Sequence, residues 1–270
     1  MIKKKISGIC MITLCLCISI PVCMADDTKA RDIMQRVEDR DDGDNMTSMM
    51  LMVLIDKNNK ERKKQFKNFS KDFGKDEKRI MFVKSPAQVK NTGFLTFDYD
   101  DESKDDDQWL FLPAVGKTKR IASSDKSSSF MGSDLNYSDM TSRNLEDYDF
   151  KLLKESTING RAVWLIQSLP RSKAVEDKTG YKKTILAVRK DNYVVIRAKM
   201  WTHEGGFTKY MDVKKLEKID GIWVVTLNHI TKKRGKVTTH QTLLKFSDIK
   251  YNQSLDDTNF TIRRLEKGLF

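Results

Sequence analysis

Short runs of residues in which apolar and polar side chains alternate, or which are wholly apolar, follow one another along most of the chain. Turn residues separate these runs and little helical periodicity lies between them, so the pattern predicts an antiparallel meander that curls toward a barrel. One amphipathic helix is predicted over residues 30–40, where Ile33, Met34 and Val37 recur at helical spacing. The expected fold class is mainly β with few helices (α+β). The predicted strands are residues 46–55, 62–69, 79–83, 93–99, 108–112, 118–121, 150–156, 161–168, 182–189, 193–203, 207–216, 223–231 and 237–249.

Several of the predicted strands carry more apolar surface than an ordinary sheet needs, because residues 46–55, 161–168 and 223–231 are apolar on both faces. Residues 193–202 alternate, with an apolar face opposite Arg197 and Lys199 that is expected to pack inward. A curved sheet of this kind must have something packed against each face, and methionine suits adaptable contact with irregular apolar ligands. Each residue, taken singly, fits an ordinary core position as well as a ligand-binding wall. The candidate ligand-binding residues on these strands are Met50, Met52, Leu54, Val194, Ile196 and Met200.

The first 25 residues have the organisation of a secretory signal peptide. Lys3, Lys4 and Lys5 precede an uncharged stretch over residues 6–20, and Ala25 ends a predicted cleavage site. The stretch is short for a membrane-spanning helix, which needs roughly 20 apolar residues. We therefore expect a cleaved signal peptide over residues 1–25 and one exported domain over residues 26–270. All four cysteines lie within residues 1–25, so the exported domain has no disulfide and no cysteine nucleophile.

The chain is basic, with a formal net charge of +12, or +9 without the three lysines of residues 1–25. Such a surplus often indicates nucleic acid binding. An exported protein rarely meets nucleic acid, so we expect no nucleic-acid partner. An anionic membrane surface, contacted transiently, an acidic partner or a solvated basic face each account for the charge.

No catalytic, metal or cofactor signature is found in the sequence. Ser133 lacks the following glycine of a nucleophile elbow. The chain has three histidines, of which His229 and His240 lie on successive predicted strands and could meet across a hairpin. The acidic run from Asp98 to Asp107 lacks the glycine-bearing spacing of a calcium loop. We therefore expect a protein that is not an enzyme and that holds no metal or cofactor.

Residues 108–139 contain three distinctive pieces, which are QWLFLP at residues 108–113, KRI at residues 119–121, and FMGSD at residues 130–134 followed by Tyr137 and Asp139. In these pieces the sequence resembles the LolA-like family of outer-membrane lipoprotein-sorting proteins of Gram-negative bacteria. A weaker match extends from the first predicted hairpin to residue 266. The resemblance implies a curled antiparallel sheet that forms an incomplete barrel, with helices closing a hydrophobic cavity. It also implies carriage of lipid-modified cargo through the periplasm.

The same region supplies further candidate residues. Trp109 and Phe111 share one face of a predicted strand, and Phe130 and Met131 are apolar residues within a loop of Ser, Asp and Gly. These four are candidate ligand-binding residues. The loop that contains Phe130 is interpreted either as a flap over the cavity mouth or as a plug that completes the core. A loop latch is predicted in which Arg120 pairs with an acidic residue of the loop, the candidates being Asp134 and Asp139.

Two classes of function remain open. The first is a monomeric periplasmic carrier that binds acyl chains of lipoproteins or envelope lipids and delivers them toward the outer membrane, with an inner-membrane transporter as a possible loading partner. The second is a non-enzymatic accessory subunit that docks on an envelope transporter and has no lipid of its own. A bound apolar ligand distinguishes the two.

Overall fold

Thirteen antiparallel strands form one sheet in the computed structural model, which describes residues 26–101 and 103–269. The predicted signal peptide and Glu102 of the acidic run lie outside the described residues. Every predicted strand is confirmed, several with longer bounds. The strands are β1 Asn45–Asp56, β2 Glu61–Phe73, β3 Asp76–Ser85, β4 Gly93–Asp98, β5 Asp107–Leu112, β6 Lys117–Arg120, β7 Tyr148–Ile158, β8 Arg161–Pro170, β9 Tyr181–Arg189, β10 Val195–Thr202, β11 Phe207–Ile219, β12 Ile222–Arg234 and β13 Val237–Tyr251.

The order of the strands explains why the sheet stays open. It runs β6-β5-β4-β3-β2-β1-β13-β12-β11-β10-β9-β8-β7, so two meanders meet where β1 pairs with β13. The edge strands β6 and β7 do not pair with each other, and the curled sheet is an incomplete barrel as expected. Strand β2 is mostly polar, which is typical of a strand at the edge of a sheet, yet it is central between β1 and β3. Its polar side chains are tolerated there because much of the strand is solvent-accessible.

The chain between the two edge strands, residues 121–147, must cross the open side of the sheet, and we call it the crossing segment. It consists of short 3-10 turns and irregular chain. Its side chains contact both halves of the sheet: Phe130 packs on Phe94 of β4, and Asn136 accepts a hydrogen bond from Lys209 of β11. The crossing segment therefore covers the inner face of the sheet.

Helices complete the two faces of the sheet. The described part of the chain contains α1 Thr28–Glu38, α2 Lys173–Thr179 and α3 Ile262–Lys267. Helix α1, which was predicted, buries Ala30, Ile33 and Met34 against strands β7–β10 on the inner face. Helix α3, which was not predicted, buries Leu265 against the outer face of β3 and β4.

Candidate functional site

A large cavity lies between the inner face of the sheet, helix α1 and the crossing segment. Its volume is about 1580 Å³, well above the roughly 300–1,000 Å³ of an ordinary small-molecule pocket. Methionine side chains, which adapt to irregular apolar shapes, come from six different parts of the fold: α1, β1, β3, β10, β11 and the crossing segment. The methionines that line it are Met34, Met46, Met50, Met52, Met81, Met140, Met200 and Met211.

Helix α1 is fixed over the cavity by polar contacts at its first turn. Asp27 caps the helix by accepting a hydrogen bond from the backbone N–H of Ala30 at 3.2 Å, and its other oxygen accepts one from Leu152 of β7 at 3.1 Å. The Leu152 hydrogen bond, with the helix N–H groups, lowers the pKa of Asp27. Arg31 donates to the carbonyl of Tyr148 at 2.8 Å. The start of α1 is therefore tied to the edge strand β7.

The FMGSD part of the crossing segment is packed inward. Phe130 is fully buried, with its ring 5.0 Å from that of Phe94 and 5.6 Å from that of Tyr137 in edge-to-face geometry. Such pairs add roughly 0.5–1.5 kcal/mol to the area burial. Met131, at φ 48°, turns the chain back with only part of its side chain buried. Of the two interpretations, this geometry fits the plug, because Phe130 completes the core around the end of the cavity.

Asp134 anchors the crossing segment to strand β13. Its backbone N–H donates to Thr242 Oγ1 at 2.9 Å, and the Thr242 hydroxyl donates to Asp134 Oδ2 at 2.8 Å. His240 Nδ1 lies 2.8 Å from the same carboxylate oxygen. Thr242 and Asp134 are at most 4% exposed, so loss of either partner leaves an unpaired polar group in the interior.

A second polar anchor joins the crossing segment to β9 and β11. Asp139 accepts hydrogen bonds from the backbone N–H of Asn136 and from the hydroxyl of Tyr181, both at 2.7 Å. Lys209 Nζ donates to Asn136 Oδ1 at 2.8 Å. Burial raises the pKa of Tyr181 and lowers the pKa of Lys209. The segment is thereby held at two places on the far half of the sheet.

The predicted latch residue Arg120 does not pair with Asp134 or Asp139. Its Nε donates to Asp107 Oδ1 at 2.9 Å instead. The reason is the register between the edge strand β6 and its neighbour β5. Arg120 of β6 is opposite Trp109 of β5, and this position brings its side chain beside Asp107 at the start of β5. The two acidic residues do hold the loop, but their partners come from β9 and β13.

The opening of the cavity has an acidic rim, formed by carboxylates around Arg79. Arg79 Nε donates to Glu77 Oε1 at 2.7 Å and its Nη1 lies 3.9 Å from Asp98 Oδ2. Burial, followed by repulsion from Glu77 and Asp42, raises the pKa of Asp72 to about 6. Burial and neighbouring carboxylates also raise the pKa of Glu38, Asp42 and Asp98. The acidic rim consists of Glu38, Asp42, Asp72, Glu77 and Asp98.

The ten candidate ligand-binding residues fall into three groups. Those that line the cavity are Met50, Met52, Phe130, Val194 and Met200. Leu54 and Met131 belong to the hydrophobic cluster around Phe130 without lining the cavity. Ile196, Trp109 and Phe111 lie elsewhere.

The three outlying positions have structural causes. Ile196 is the extra residue of a β-bulge between Val195 and Arg197, so the simple alternation along β10 is interrupted there. Trp109 and Phe111 are on the outer face of β5, packed in the cluster that includes Leu265 of α3.

Sequence reasoning missed much of the lining. Ile230 of β12 and Leu244 of β13 are apolar residues of the cavity lining. Both lie on strands that were predicted from the sequence, and the alternation of side-chain direction along a strand could have identified them as inward-facing. The acidic rim was missed because its members are scattered over α1, β2, β3, β4 and a loop, so no local spacing connects them.

Two further observations bear on the chemistry of the site. Within residues 26–101 and 103–269, no group of three or more His, Cys, Asp or Glu side chains is positioned to hold a metal ion. Across the same residues, none of the helices combines the length and apolar character needed to cross a membrane.

Known proteins share this architecture. A family model described as "Uncharacterized protein" matches residues 75–267. A DUF1329 family protein from Desulfovibrio piger is 30% identical with a TM-score of 0.80, over 89% of this chain and 100% of that one. An outer membrane lipoprotein-sorting protein domain from Vibrio parahaemolyticus is 27% identical with a TM-score of 0.79, over 88% and 98%. A LolA superfamily protein from Nitrosomonas europaea has the same fold at 20% identity and a TM-score of 0.64, over 87% and 98%. No curated protein sequence matches the chain significantly.

Proposed function

The chain belongs to the DUF1329 family and has the LolA-like fold, and on that premise we propose that it is a periplasmic carrier for acyl chains. Residues 26–270 act as one carrier domain after removal of the signal peptide. The cargo is an envelope lipid or the lipid part of a lipoprotein, and delivery is toward the outer membrane. The observation that carries the proposal is the methionine-lined cavity of about 1580 Å³.

The energetics of acyl-chain transfer support this assignment. Burial of one CH₂ group contributes about 0.8 kcal/mol, so a single acyl chain in the cavity gains several kcal/mol relative to water. Flexible methionines such as Met52 and Met200 allow chains of different length and branching to fill the space. A gain of this size offsets the cost of removing the chain from a membrane, where it is already shielded from water.

Release requires a state of the protein that competes with cargo. The crossing segment and helix α1 cover the cavity, and each is attached to the sheet at a small number of polar contacts such as Asp134 with Thr242. We propose that α1 and the crossing segment move inward in an empty carrier, so that their own apolar side chains replace part of the cargo. An inner-membrane transporter that loads the carrier acts on the same two elements.

Native mass spectrometry with lipid extraction tests the proposal. The protein is purified from the cell envelope without detergent, and an adduct that organic solvent removes is expected, with the mass of an acyl lipid or lipopeptide. A fluorescent fatty-acid probe is expected to bind the extracted protein.

A cavity-filling variant makes the test specific to the site. Ala198 of β10 lines the cavity, whereas Ala162 of β8 is exposed and does not line it. Ala198→Phe is expected to reduce probe binding at least about tenfold, since the ring occupies part of the acyl site. Ala162→Phe is the matched control and keeps the wild-type affinity. A chain that carries no adduct, and whose two variants bind the probe equally, would instead indicate the docking accessory subunit.

A further inference from the structure

We propose that the acidic rim selects cargo with a cationic headgroup, so that the preferred ligand is an acyl chain attached to a protonated amine or guanidinium. The inference rests on the proposed carrier function and names the chemical class of its ligand. In this arrangement the methionine-lined wall receives the chain and the acidic rim receives the head.

The charges at the rim are not balanced within the fold. Five carboxylates surround Arg79, and Arg40 is a second cation near Asp42. The raised pKa values of Glu38, Asp42, Asp72 and Asp98 reflect burial together with mutual repulsion. A cation placed among these groups relieves that repulsion, whereas an anionic headgroup adds to it.

The wall and the rim follow one another along the same strands, which fixes the direction of the ligand. On β2 the inward positions run from Phe66 through Asn68 to Asp72, and on β3 from Met81 through Arg79 to Glu77. The register pairs Phe66 with Val83 at the apolar end of these two strands and Asp72 with Glu77 at the carboxylate end. Asn68 with Met81, and then Ser70 with Arg79, lie between the two ends. An amphipathic molecule fits this gradient with its head at the rim.

Asn68 is an independent sign of a missing polar partner. It lines the cavity at the boundary between wall and rim and is only 8% exposed. Its Nδ2 donates to Ser48 Oγ at 3.2 Å, but its Oδ1 has no hydrogen-bond partner among residues 26–101 and 103–269. A buried acceptor without a donor is unfavourable, because it has given up its hydrogen bonds to water. Oδ1 has almost no accessible surface in this conformation, and a rotation of the Asn68 side chain toward the cavity would let it accept from an ammonium or guanidinium N–H that enters from the rim.

The rim opposes the overall charge of the protein. The net charge of +12 would by itself favour anionic lipids. Because selectivity is decided where the headgroup is desolvated, the local carboxylates outweigh basic residues spread over the outer surface. The inference therefore predicts a preference of opposite sign to the one that composition suggests.

Three amphiphiles with single chains of equal length and different headgroups separate the contribution of the headgroup to affinity from that of the chain. Dodecylammonium, dodecanoate and neutral dodecyl maltoside, each below its micelle concentration, compete at pH 7.5 with a neutral pyrene-labelled alkyl probe. Dodecylammonium is expected to bind about tenfold more tightly than dodecanoate, with the maltoside between them. The ratio of the dodecylammonium affinity to the dodecanoate affinity is expected to decrease in 0.5 M salt, because salt screens the attraction between the rim carboxylates and the ammonium group.

Matched charge variants assign the preference to the rim. Asp42→Asn/Asp72→Asn is expected to reduce the ratio to about threefold or less, since two of the five rim charges are gone. The control Glu61→Gln/Asp248→Asn removes two carboxylates outside the cavity lining and keeps the wild-type ratio. Maltoside affinity is expected to be the same in both variants.

The outcomes distinguish this inference from the carrier function. Equal binding of all three amphiphiles, or tighter binding of dodecanoate, overturns the cationic preference and leaves the carrier function standing. Failure of all three to bind overturns both. A basic hexapeptide without an acyl chain that competes as well as dodecylammonium also overturns the inference, because the rim would then recognise a basic protein segment.

Discussion

The inner and outer faces of strands β3–β5 carry similar apolar side chains but have different coverings. On the outer face, Phe82 and Leu95 pack against Leu265 of α3, and all three are at most 1% exposed. On the inner face, Met81 borders the cavity of about 1580 Å³. Apolar composition therefore does not decide whether a sheet face becomes core or binding site. What decides is how completely the covering element fills the space.

Tightness of packing distinguishes the two faces most directly. A Cβ atom added to Gly93 of β4 would lie 2.6 Å from Leu265 Cδ1 and 3.2 Å from Phe82, so the outer face has no room for one methyl group. The inner face has room for a whole ligand. Mutations should therefore act on stability at the outer face and on binding at the inner face.

The largest decrease in the free energy of unfolding is expected from Phe260→Ala on the outer face. Phe260 is 1% exposed and packs edge-to-face on Phe73 at 5.6 Å. Loss of a buried phenylalanine is expected to lower the free energy of unfolding by about 3–5 kcal/mol, as measured by urea denaturation. Acyl-probe affinity of the folded fraction is expected to be unchanged. If Phe260→Ala lost most of its acyl-probe affinity and kept wild-type stability, the conclusion that outer-face mutations act on stability and inner-face mutations on binding would be wrong.

Adding volume sharpens the same comparison. Gly93→Ala is expected to lower the free energy of unfolding by about 2–3 kcal/mol, because Leu265 and Phe82 must shift. Ala198→Phe adds far more volume but projects from a wall that borders open space, and its stability change is expected to stay within about 1 kcal/mol. Thermal and urea denaturation of the two variants measure this difference. If Ala198→Phe were the more destabilising, the cavity would not be open at that wall.

Loss of the Asp134–Thr242 anchor of the crossing segment is expected to lower the free energy of unfolding by a smaller amount. Thr242→Val keeps the shape of the side chain but removes the hydroxyl that both accepts from and donates to Asp134. The expected cost is about 1–2 kcal/mol, with faster amide hydrogen exchange across residues 130–136. Thr226→Val is a matched control, since Thr226 is buried on β12 and donates to Glu217 rather than to the crossing segment. Equal exchange in both variants would argue against the anchor.

The comparison of faces also explains what could be predicted from the sequence. Alternation along each strand is local, so the strands and helix α1 were predictable. Helix α3 spans only Ile262–Lys267 and gives almost no periodic signal, so the outer position of Trp109 was not predictable. The bulge at Ile196 shifts an alternation that looks regular in the sequence. The acidic rim depends on tertiary proximity between Glu38 and Asp98, which are far apart in the chain.

The smallest change in the free energy of unfolding is expected from protonation of Asp72 in the acidic rim. The pKa of Asp72 is raised from 3.8 to about 6 by burial and by Glu77 and Asp42, so the folded state binds this proton more tightly than the unfolded state. Its contribution to stability is complete below pH 3.8 and is lost as the pH rises through about 6. Because the burial of Asp72 is only partial and much of its side chain still contacts water, the contribution is expected to be below about 1 kcal/mol.

Replacement of Asp72 by a neutral residue isolates that contribution. Asp72→Asn resembles the protonated state at every pH, so the variant is expected to be slightly more stable than wild type at pH 7.5 and equal to it near pH 4. Urea denaturation at both pH values measures the difference, with Asp248→Asn as a control that removes a carboxylate outside the cavity lining. A less stable Asp72→Asn protein at pH 7.5 would mean that the rim carboxylates are compensated within the fold. Phe260 instead packs on Phe73 and other apolar side chains of the outer face, and Phe260→Ala is therefore expected to lose about the same free energy of unfolding at both pH values.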